Sequence, residues 1–286
     1  MLKVEDGCVN FCSYCIIPYA RGPIRSLPLD QAVDQALRLA QEGYQELVVT
    51  GIEISSWGTE RRDGRGLIDL IEALCQAVPA MRVRLGSLEP RTITAEFCRR
   101  AAALPNLCPQ FHLSLQSGCD ATLQRMNRKY DTARYRQSVE LLRQYFDRPA
   151  LTTDLIVGFP GEDEGEFEAT LAFLRECRFS AMHIFPYSRR PGTPAAALPN
   201  QCLNGVKEER AHRAAQVAAE LEGEYLTSWV GTALPVLFEE EREGCWRGFT
   251  PQYMEVRAQG RDLHNVQKTV EITGRQGGAL LGRVVE

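Results

Sequence analysis

The sequence predicts an α/β fold made of six strand-then-helix units with parallel strands, followed by a smaller β-rich domain. Short β-rich runs alternate with helical periods up to about residue 205, and a different pattern of short strands between glycine and charged residues begins at Ser228. Repeated strand-then-helix order implies parallel strands joined by right-handed crossovers. The alternation fits either an open doubly wound sheet or a curved partial barrel.

Six apolar, β-rich runs are the predicted parallel strands. They are Leu2–Glu5, Glu46–Thr50, Met81–Gly86, Phe111–Leu115, Thr152–Val157 and Ala181–Phe185. Helical periodicity follows several of them, because apolar residues three and four apart share one helix face. The faces are Val33, Ala36, Leu37 and Ala40 after Pro28, then Leu67, Leu70, Ile71, Leu74 and Val78, and finally Phe167, Leu171 and Leu174 after a capping signal at Asp163 and Glu166.

The last third of the chain changes character. Val206 to Tyr225 read as one charged amphipathic helix, and the segments "ALPVLFE", "YMEVRA", "TVEITG" and "LLGRVVE" then read as short strands. Such a pattern is typical of a small antiparallel barrel. We therefore predict a domain at residues 1–205, a connecting helix at 206–225 and a small barrel at 226–286.

Composition indicates a cytoplasmic protein with reduced thiols. The 10 cysteines among 286 residues are far below the density of a disulfide scaffold, and neither a signal peptide nor an apolar run of the roughly 20 residues that span a bilayer is found. The net charge of −4 argues against a strongly basic nucleic-acid binder. Local basic groups such as Arg125, Arg128 and Lys129 are typical of solvated loops and helix faces.

Three cysteines lie close together near the first strand, with the spacing Cys8-x3-Cys12-x2-Cys15. A structural zinc ion takes four protein ligands and a catalytic one takes three plus water. A 4Fe–4S cluster held by three thiolates leaves one iron open to a substrate, and the loop follows a strand, where barrel enzymes carry their active sites. The alternative is a zinc knuckle or unrelated thiols.

The remaining cysteines and the histidines show no ligand spacing. Cys75, Cys98 and Cys177 fall in predicted helices as small buried residues, and Cys108, Cys119, Cys202 and Cys245 stand alone. His112 and His183 fall on predicted strands, where a lone histidine is usually a satisfied core residue. No histidine pattern indicates a hydrolase.

The cysteine motif and a series of words that follow it resemble one enzyme family. Cys8-x3-Cys12-x-Tyr14-Cys15 is similar to the signature of the radical S-adenosylmethionine (SAM) superfamily. The words "DGCVNFCSYCIIPYARGPIRS", "VVTGIE", "LGSLEP", "HLSLQSG", "TTDLIVGFPGE" and "FPYSRRPGTPAA" resemble the methylthiotransferases, especially the branch that modifies threonylcarbamoyladenosine in tRNA. The last sixty or so residues resemble a TRAM domain, an OB-like RNA-binding barrel.

This resemblance implies a fold, two cofactors and a set of site residues. The fold would be a partial six-stranded TIM-like (β/α) barrel, and Cys8, Cys12 and Cys15 would hold one 4Fe–4S cluster that binds and cleaves SAM. The methionine end of SAM would lie near Gly51, Glu53 and Glu89, and its ribose near Ser114 and Gln116. Tyr14 and the segment with Val157, Gly158 and Phe159 would pack against adenine.

RNA binding by the small barrel rests on a mixture of aromatic and basic residues. Arg247, Phe249 and Tyr253, with Trp246 and Arg257, are the residue types that stack on bases and contact phosphates. From Leu226 onward the chain has seven Lys and Arg against eight Asp and Glu, a net of −1. A packing module that buries its aromatic residues is therefore the alternative.

The resemblance also implies parts that this sequence lacks. Methylthiotransferases of this type carry an N-terminal domain with a second 4Fe–4S cluster, and we expect this chain to be a fragment or short form without it. The implied partners are tRNA, a flavodoxin- or ferredoxin-type electron donor and a sulfur donor. The alternative functions are a methylthiotransferase for isopentenyladenosine tRNA or a ribosomal protein, and a non-catalytic RNA-binding fragment.

Overall fold

A computed structural model describes residues 1–285, and its first part alternates strands and helices as predicted. The strands of this part are β1 (Leu2–Lys3), β2 (Glu5–Asp6), β3 (Arg25–Ser26), β4 (Glu46–Thr50), β5 (Arg82–Leu85), β6 (Ser87–Leu88), β7 (Gln110–Leu113), β8 (Ala150–Val157) and β9 (Ala181–Pro186). The helices are α1 (Ile17–Arg21), α2 (Leu29–Gln41), α3 (Leu67–Ala77), α4 (Ala95–Ala102), α5 (Asp120–Arg125), α6 (Thr132–Tyr145), α7 (Glu164–Cys177) and α8 (Asn204–Thr227).

The six predicted strands form a curved, open parallel sheet. One part has the order β1-β4-β5 and the other β6-β7-β8-β9, and every pair in both parts is parallel. Gly86 separates β5 from β6, and a Cβ atom there would lie 3.1 Å from the Val49 carbonyl oxygen. The strand therefore bends where two backbones approach closely, and the sheet is a partial (β/α) barrel.

Helices cover the outer face of this sheet and form its hydrophobic core. The predicted face of α3 is buried, and the Asp163 side chain accepts a hydrogen bond from the Glu166 amide at the start of α7. In α2 the face is rotated from the predicted one, since Ala32 and Ala36 are buried and Leu37 is 39% exposed. Pro28 is the N-cap residue rather than part of the first turn.

The inner face of the sheet carries polar side chains, and here one prediction is wrong. Along β8, Leu151 and Leu155 pack in the core while Thr152 and Asp154, on the alternate positions, face inward. His112 and His183 share this inner face, and His183 is exposed. Their strands were predicted correctly, but His183 is not a core residue.

The small domain is a closed five-stranded barrel. Its strands are β10 (Ala233–Arg242), β11 (Cys245–Phe249), β12 (Glu255–Gln259), β13 (Val266–Gln276) and β14 (Ala279–Val284), in the order β10-β11-β12-β14-β13. The prediction of an antiparallel barrel is wrong for one pair, because β12 and β14 are parallel. Trp246 lies in the barrel core, so it is not the exposed stacking residue predicted from the sequence.

Helix α8 and a group of buried arginines join the two parts. The helix is longer than predicted, with Ala214, Val217 and Leu221 in the large core and Leu226 in the small one. Residues 249–251 of the small barrel place their backbone carbonyls against the inner face of β5. The contacts are Arg82 Nη1 to Phe249 O at 3.1 Å, Arg84 Nη1 to Pro251 O at 2.8 Å and Arg84 Nη2 to Thr250 O at 3.2 Å.

Glu46 is the carboxylate that pairs with both of these arginines. Its carboxylate lies 2.6 Å from Arg82 Nη2 and accepts two bonds from Arg84, at 2.8 and 2.9 Å. Arg84 also lies 4.7 Å from the centre of the Tyr253 ring, which stacks on Phe249. In residues 1–285 no helix is long and apolar enough to cross a membrane.

Candidate active site

The cysteine loop connects β2 to α1 and is fixed at several points. Gly7 has φ +88°, and a Cβ there would lie 2.0 Å from the Pro23 carbonyl oxygen, so the loop begins at a position that needs glycine. The Cys8 amide donates to Gly22 O at 3.1 Å, and the Ser13 hydroxyl donates to Arg125 O at 2.8 Å. The loop is thus hydrogen-bonded to the residue that follows α1 and to the end of α5.

The number and chemistry of the three thiols bear on whether they hold a single ion or a cluster. In residues 1–285 the only three candidate ligand residues whose ligand atoms all lie within 4.8 Å of one another are His112, Asp154 and His183. Cys8, Cys12 and Cys15 form no such compact group in the described part of the chain. Three soft thiolates suit an iron–sulfur cluster, whereas a structural zinc ion takes four protein ligands.

Arg128 lies beside these cysteines, contrary to the solvated position predicted for it. Its Nη1 is 3.2 Å from Cys12 Sγ and 3.5 Å from the Tyr14 hydroxyl, and its Nε donates to the Tyr130 hydroxyl at 2.9 Å. Tyr130 in turn donates to the Leu115 carbonyl at 2.9 Å. The sequence word "RMNRKY" gave no spacing signal for this role.

A cavity of about 340 Å³ opens beside Cys8, within the size range of small-molecule sites. Two of the residues predicted for the methionine end of SAM, Glu53 and Glu89, line it together with Cys8. Behind it, Glu5 is 2% exposed and its carboxylate accepts the Glu53 amide at 2.7 Å. Sequence reasoning missed Glu5, because an isolated carboxylate carries no local signal.

Burial shifts the pKa of the acidic groups in and near this cavity. It raises the pKa of Glu53 to about 7, with the nearby Glu89 carboxylate adding to the effect and Arg128 opposing it. Burial likewise raises the pKa of the Cys8 and Cys15 thiols. A cationic ligand would favour ionised Glu53, and metal binding would displace the thiol protons.

The remaining predicted cofactor residues surround this region without lining the cavity. Gly51 directly follows β4, and a Cβ there would lie 2.9 Å from the Glu5 carbonyl. Ser114 accepts a hydrogen bond from Tyr130 through its carbonyl. Gln116 has φ +70° and pairs its backbone with β8, accepting from Ile156 at 2.9 Å.

The aromatic residues predicted to pack against adenine contact each other. Phe159 is fully buried and packs edge-on against the ring of Tyr14, with centroids 6.5 Å apart. Gly158 has φ +67°, and its amide donates to the buried carboxylate of Glu162. Glu162 also pairs with Arg210 of α8 at 3.0 Å, so helix α8 holds the turn after β8 in place.

The sequence of this site matches a known protein superfamily. The family model described as the Radical SAM superfamily matches residues 2–174, which include the cysteine loop and the strands up to β8. The chain belongs to the radical SAM superfamily. The resemblance of its cysteine motif is confirmed.

Curated relatives of this radical SAM protein are tRNA methylthiotransferases. The threonylcarbamoyladenosine tRNA methylthiotransferase MtaB of Bacillus subtilis is 37% identical over 91% of this chain and 59% of its own length. The MtaB of Chlamydia pneumoniae is 36% identical over 99% of this chain and 67% of its own length. The tRNA-2-methylthio-N(6)-dimethylallyladenosine synthase of Orientia tsutsugamushi strain Ikeda is 33% identical over 99% of this chain and 65% of its own length. The chain thus spans about three fifths to two thirds of these relatives.

Solved structures support the fold of this radical SAM protein. The radical SAM methyltransferase TsrM of Kitasatospora setae, with cobalamin and a [4Fe-4S] cluster bound, matches 68% of this chain and 38% of its own, with 18% identity and a TM-score of 0.58. Methylornithine synthase PylB matches 76% of this chain and 64% of its own, with 10% identity and a TM-score of 0.53. These likenesses show the fold alone, and they agree with the partial barrel.

Within residues 1–285, the other cysteines of the radical SAM protein form no second thiol loop. Burial raises the pKa of four of them, to about 12 for Cys75 and Cys177 and to about 11 for Cys98 and Cys108. These thiols stay protonated in the core, and the predicted burial of Cys75, Cys98 and Cys177 is confirmed. The others are separated in the chain and in their contacts, Cys119 before α5, Cys202 beside Phe159 and Cys245 in the small barrel.

The residues predicted to bind RNA take part in contacts within the protein. Arg247 pairs with Glu240 at 3.0 Å and with Glu255 at 2.9 Å, and it lies over the Phe249 ring. Tyr253 stacks on Phe249 and keeps 54% of its surface exposed. Arg247 also lines an open groove of about 840 Å³ on the small barrel, with Arg242 and Arg257.

Proposed function

We propose that this chain is the radical SAM core of a methylthiotransferase that modifies threonylcarbamoyladenosine in tRNA. The observation that carries the proposal is the loop of three spaced thiols beside a cavity that Glu53 and Glu89 line. The MtaB relatives, which are similar to this chain over nearly its whole length, support the substrate.

The residues of the site suit distinct tasks in this reaction. Cys8, Cys12 and Cys15 would hold a 4Fe–4S cluster, which when bound supplies the electron that cleaves the SAM sulfonium. Glu53 would receive the methionine ammonium, because a carboxylate with a pKa of about 7 ionises beside a cation. The Gly51 backbone and Glu89 would also contact the methionine end of SAM.

The other end of SAM would lie toward β7 and β8. Ser114 and Gln116 follow β7 and would reach the ribose hydroxyls. The backbone at Gly158 and the ring of Tyr14 would meet adenine. Because Phe159 is buried behind Tyr14, its part would be to hold that ring in place rather than to touch the ligand.

The small barrel would be the RNA-binding, TRAM-like part of the enzyme, with residues 1–205 as the radical SAM domain and 206–225 as the link. Its groove with Arg242, Arg247 and Arg257 and the half-exposed ring of Tyr253 offer phosphate and base contacts. Two of the acids there, Glu243 and Glu255, keep the net charge low. We expect modest affinity by the barrel alone, with more of the tRNA contact made by the whole enzyme.

Further partners complete the proposed reaction. An electron donor of the flavodoxin or ferredoxin type would reduce the cluster, and a sulfur donor would supply the inserted atom. A second 4Fe–4S cluster would serve sulfur insertion in the longer enzyme. The residues present here hold one set of spaced thiols, so residues 1–286 would cleave SAM without completing methylthiolation.

The cluster and SAM cleavage are tested first. After anaerobic reconstitution, the chain should bind a cluster and form 5′-deoxyadenosine from SAM with dithionite. Cys12→Ala should lose both, while Cys245→Ala, in the small barrel, should keep both. Retained cluster iron and SAM cleavage in Cys12→Ala would contradict the ligand assignment.

The substrate is tested in cells. Nucleoside mass spectrometry of tRNA from a gene-deletion strain should show loss of the methylthio group from threonylcarbamoyladenosine, restored by the full-length gene. Loss from isopentenyladenosine, or an unmethylthiolated ribosomal protein, would identify one of the other branches. Unchanged tRNA and protein together with no SAM cleavage by the chain would leave only an RNA-binding role.

The need for a second cluster is tested in vitro. Residues 1–286 should give no methylthiolated tRNA, and adding the auxiliary-cluster domain of a relative in cis should restore it. Methylthiolated tRNA made by residues 1–286 would reveal a sulfur site among the seven other cysteines.

A further inference from the structure

A second possible metal site lies on the inner face of the barrel, away from the cysteine loop. His112, Asp154 and His183 each present a ligand atom there, and these atoms lie within 4.8 Å of one another. They come from the adjacent strands β7, β8 and β9, and Asp154 is directly paired with His183 in the sheet. In the parallel register Asp154 lies beside His183, and His112 lies beside Thr152, two residues earlier on the same face of β8.

We propose that His112, Asp154 and His183 bind a single divalent transition-metal ion, with ferrous iron the first candidate. Two imidazoles and one carboxylate are the donor set that holds mononuclear non-haem iron with open coordination positions. Asp154 supplies one negative charge, and His183 is exposed on the inner face. Water or an oxygen-bearing ligand has access to the open positions from that side.

The contacts of His112 support metal binding through one particular nitrogen. Its Nδ1 lies 3.0 Å from the Thr152 hydroxyl, and Gln110 donates to the same oxygen at 3.2 Å. When Nδ1 carries the proton and donates a hydrogen bond to the Thr152 hydroxyl, the Nε2 lone pair is free to bind a metal. Without a metal, Nε2–H can instead face Asp154, whose oxygen lies 3.3 Å away.

The site is separate from the cluster loop in the fold. His112 precedes Ser114 by two residues on β7, so it lies about 7 Å further into the barrel than the strand end where the SAM cavity region begins. None of the three ligands lines the cavity beside Cys8. The two groups can therefore be loaded and lost independently.

Independent loading gives the test. The chain is reconstituted anaerobically with ⁵⁷Fe and sulfide, and Mössbauer spectra are recorded. We expect a high-spin ferrous doublet with nitrogen and oxygen ligands beside the cluster signal. Asp154→Asn should remove the doublet and keep the cluster, and Cys12→Ala should do the reverse. His264→Gln, an exposed histidine of the small barrel, is the matched control and should keep both signals.

Affinity is measured separately with Mn²⁺, which binds thiols weakly and is counted by its free EPR signal. We expect one ion per chain, with Thr152→Val weakening it roughly 10–100-fold through His112. Circular dichroism and retained cluster absorbance show that each variant is folded. A ferrous doublet that survives in both Asp154→Asn and His183→Gln, or no doublet and no Mn²⁺ binding in the unaltered chain, would overturn the proposal.

Discussion

Arg128 should set the reduction potential of the cluster that Cys8, Cys12 and Cys15 are proposed to hold. Its guanidinium lies 3.2 Å from Cys12 Sγ, and reduction adds one negative charge to the group bound there. A positive charge stabilises that added electron. At about 5–6 Å and an effective dielectric constant near 20, the interaction is about 3 kcal/mol. Since 59 mV corresponds to 1.4 kcal/mol for one electron, Arg128→Gln should lower the potential by up to roughly 130 mV.

The assay is a redox titration of the reconstituted chain followed by EPR. Arg128→Lys keeps the charge and should shift the potential less than Arg128→Gln. Arg125→Gln is the control, because Arg125 is three residues away and pairs with Glu166. A cluster that forms in Arg128→Gln with an unchanged potential would refute the electrostatic reasoning, and a potential equally lowered in Arg125→Gln would show that the effect is not specific to Arg128.

Two further predictions concern stability. Between pH 4.5 and 7 the unfolded chain ionises Glu53 while the folded chain keeps its proton, so stability should fall by at most about 3 kcal/mol as pH rises. Urea denaturation at pH 5 and 7.5 measures this, and Glu53→Gln with the same pH slope as the unaltered chain would contradict it. Glu46→Gln should cost about 3–5 kcal/mol, since Arg82 and Arg84 lose their buried carboxylate. The exposed pair formed by Glu96 is the control, and Glu96→Gln should cost under about 1 kcal/mol in the same denaturation. Equal costs for the two would contradict the argument.

The sequence predicted those parts of the fold that local patterns encode. The strand at Glu46–Thr50 has the predicted bounds, and α3 buries its predicted face, because side-chain periodicity directly reflects which face meets a core. The cysteine motif is equally local, since all its ligands fall within one loop. The family resemblance added the partial barrel, and its assignment of residues to SAM stays a prediction.

The features that were missed depend on contacts between distant segments. Arg128 reaches Cys12 across more than a hundred residues, so its charge looked like that of any surface arginine. The parallel pairing of β12 and β14 is likewise a non-local choice. His183 was placed on the right strand, but periodicity assigns a face and does not say that the face is open to solvent.

The way the small barrel is attached has a consequence for how this family can change. Arg82 and Arg84 hold it through the backbone carbonyls of residues 249–251, and every amino acid provides that acceptor. Side chains around the groove can therefore vary without weakening the junction. We expect the small barrel of a relative to dock on this core. The junction is thus a place where one small barrel can replace another while the core with the cysteine loop stays intact.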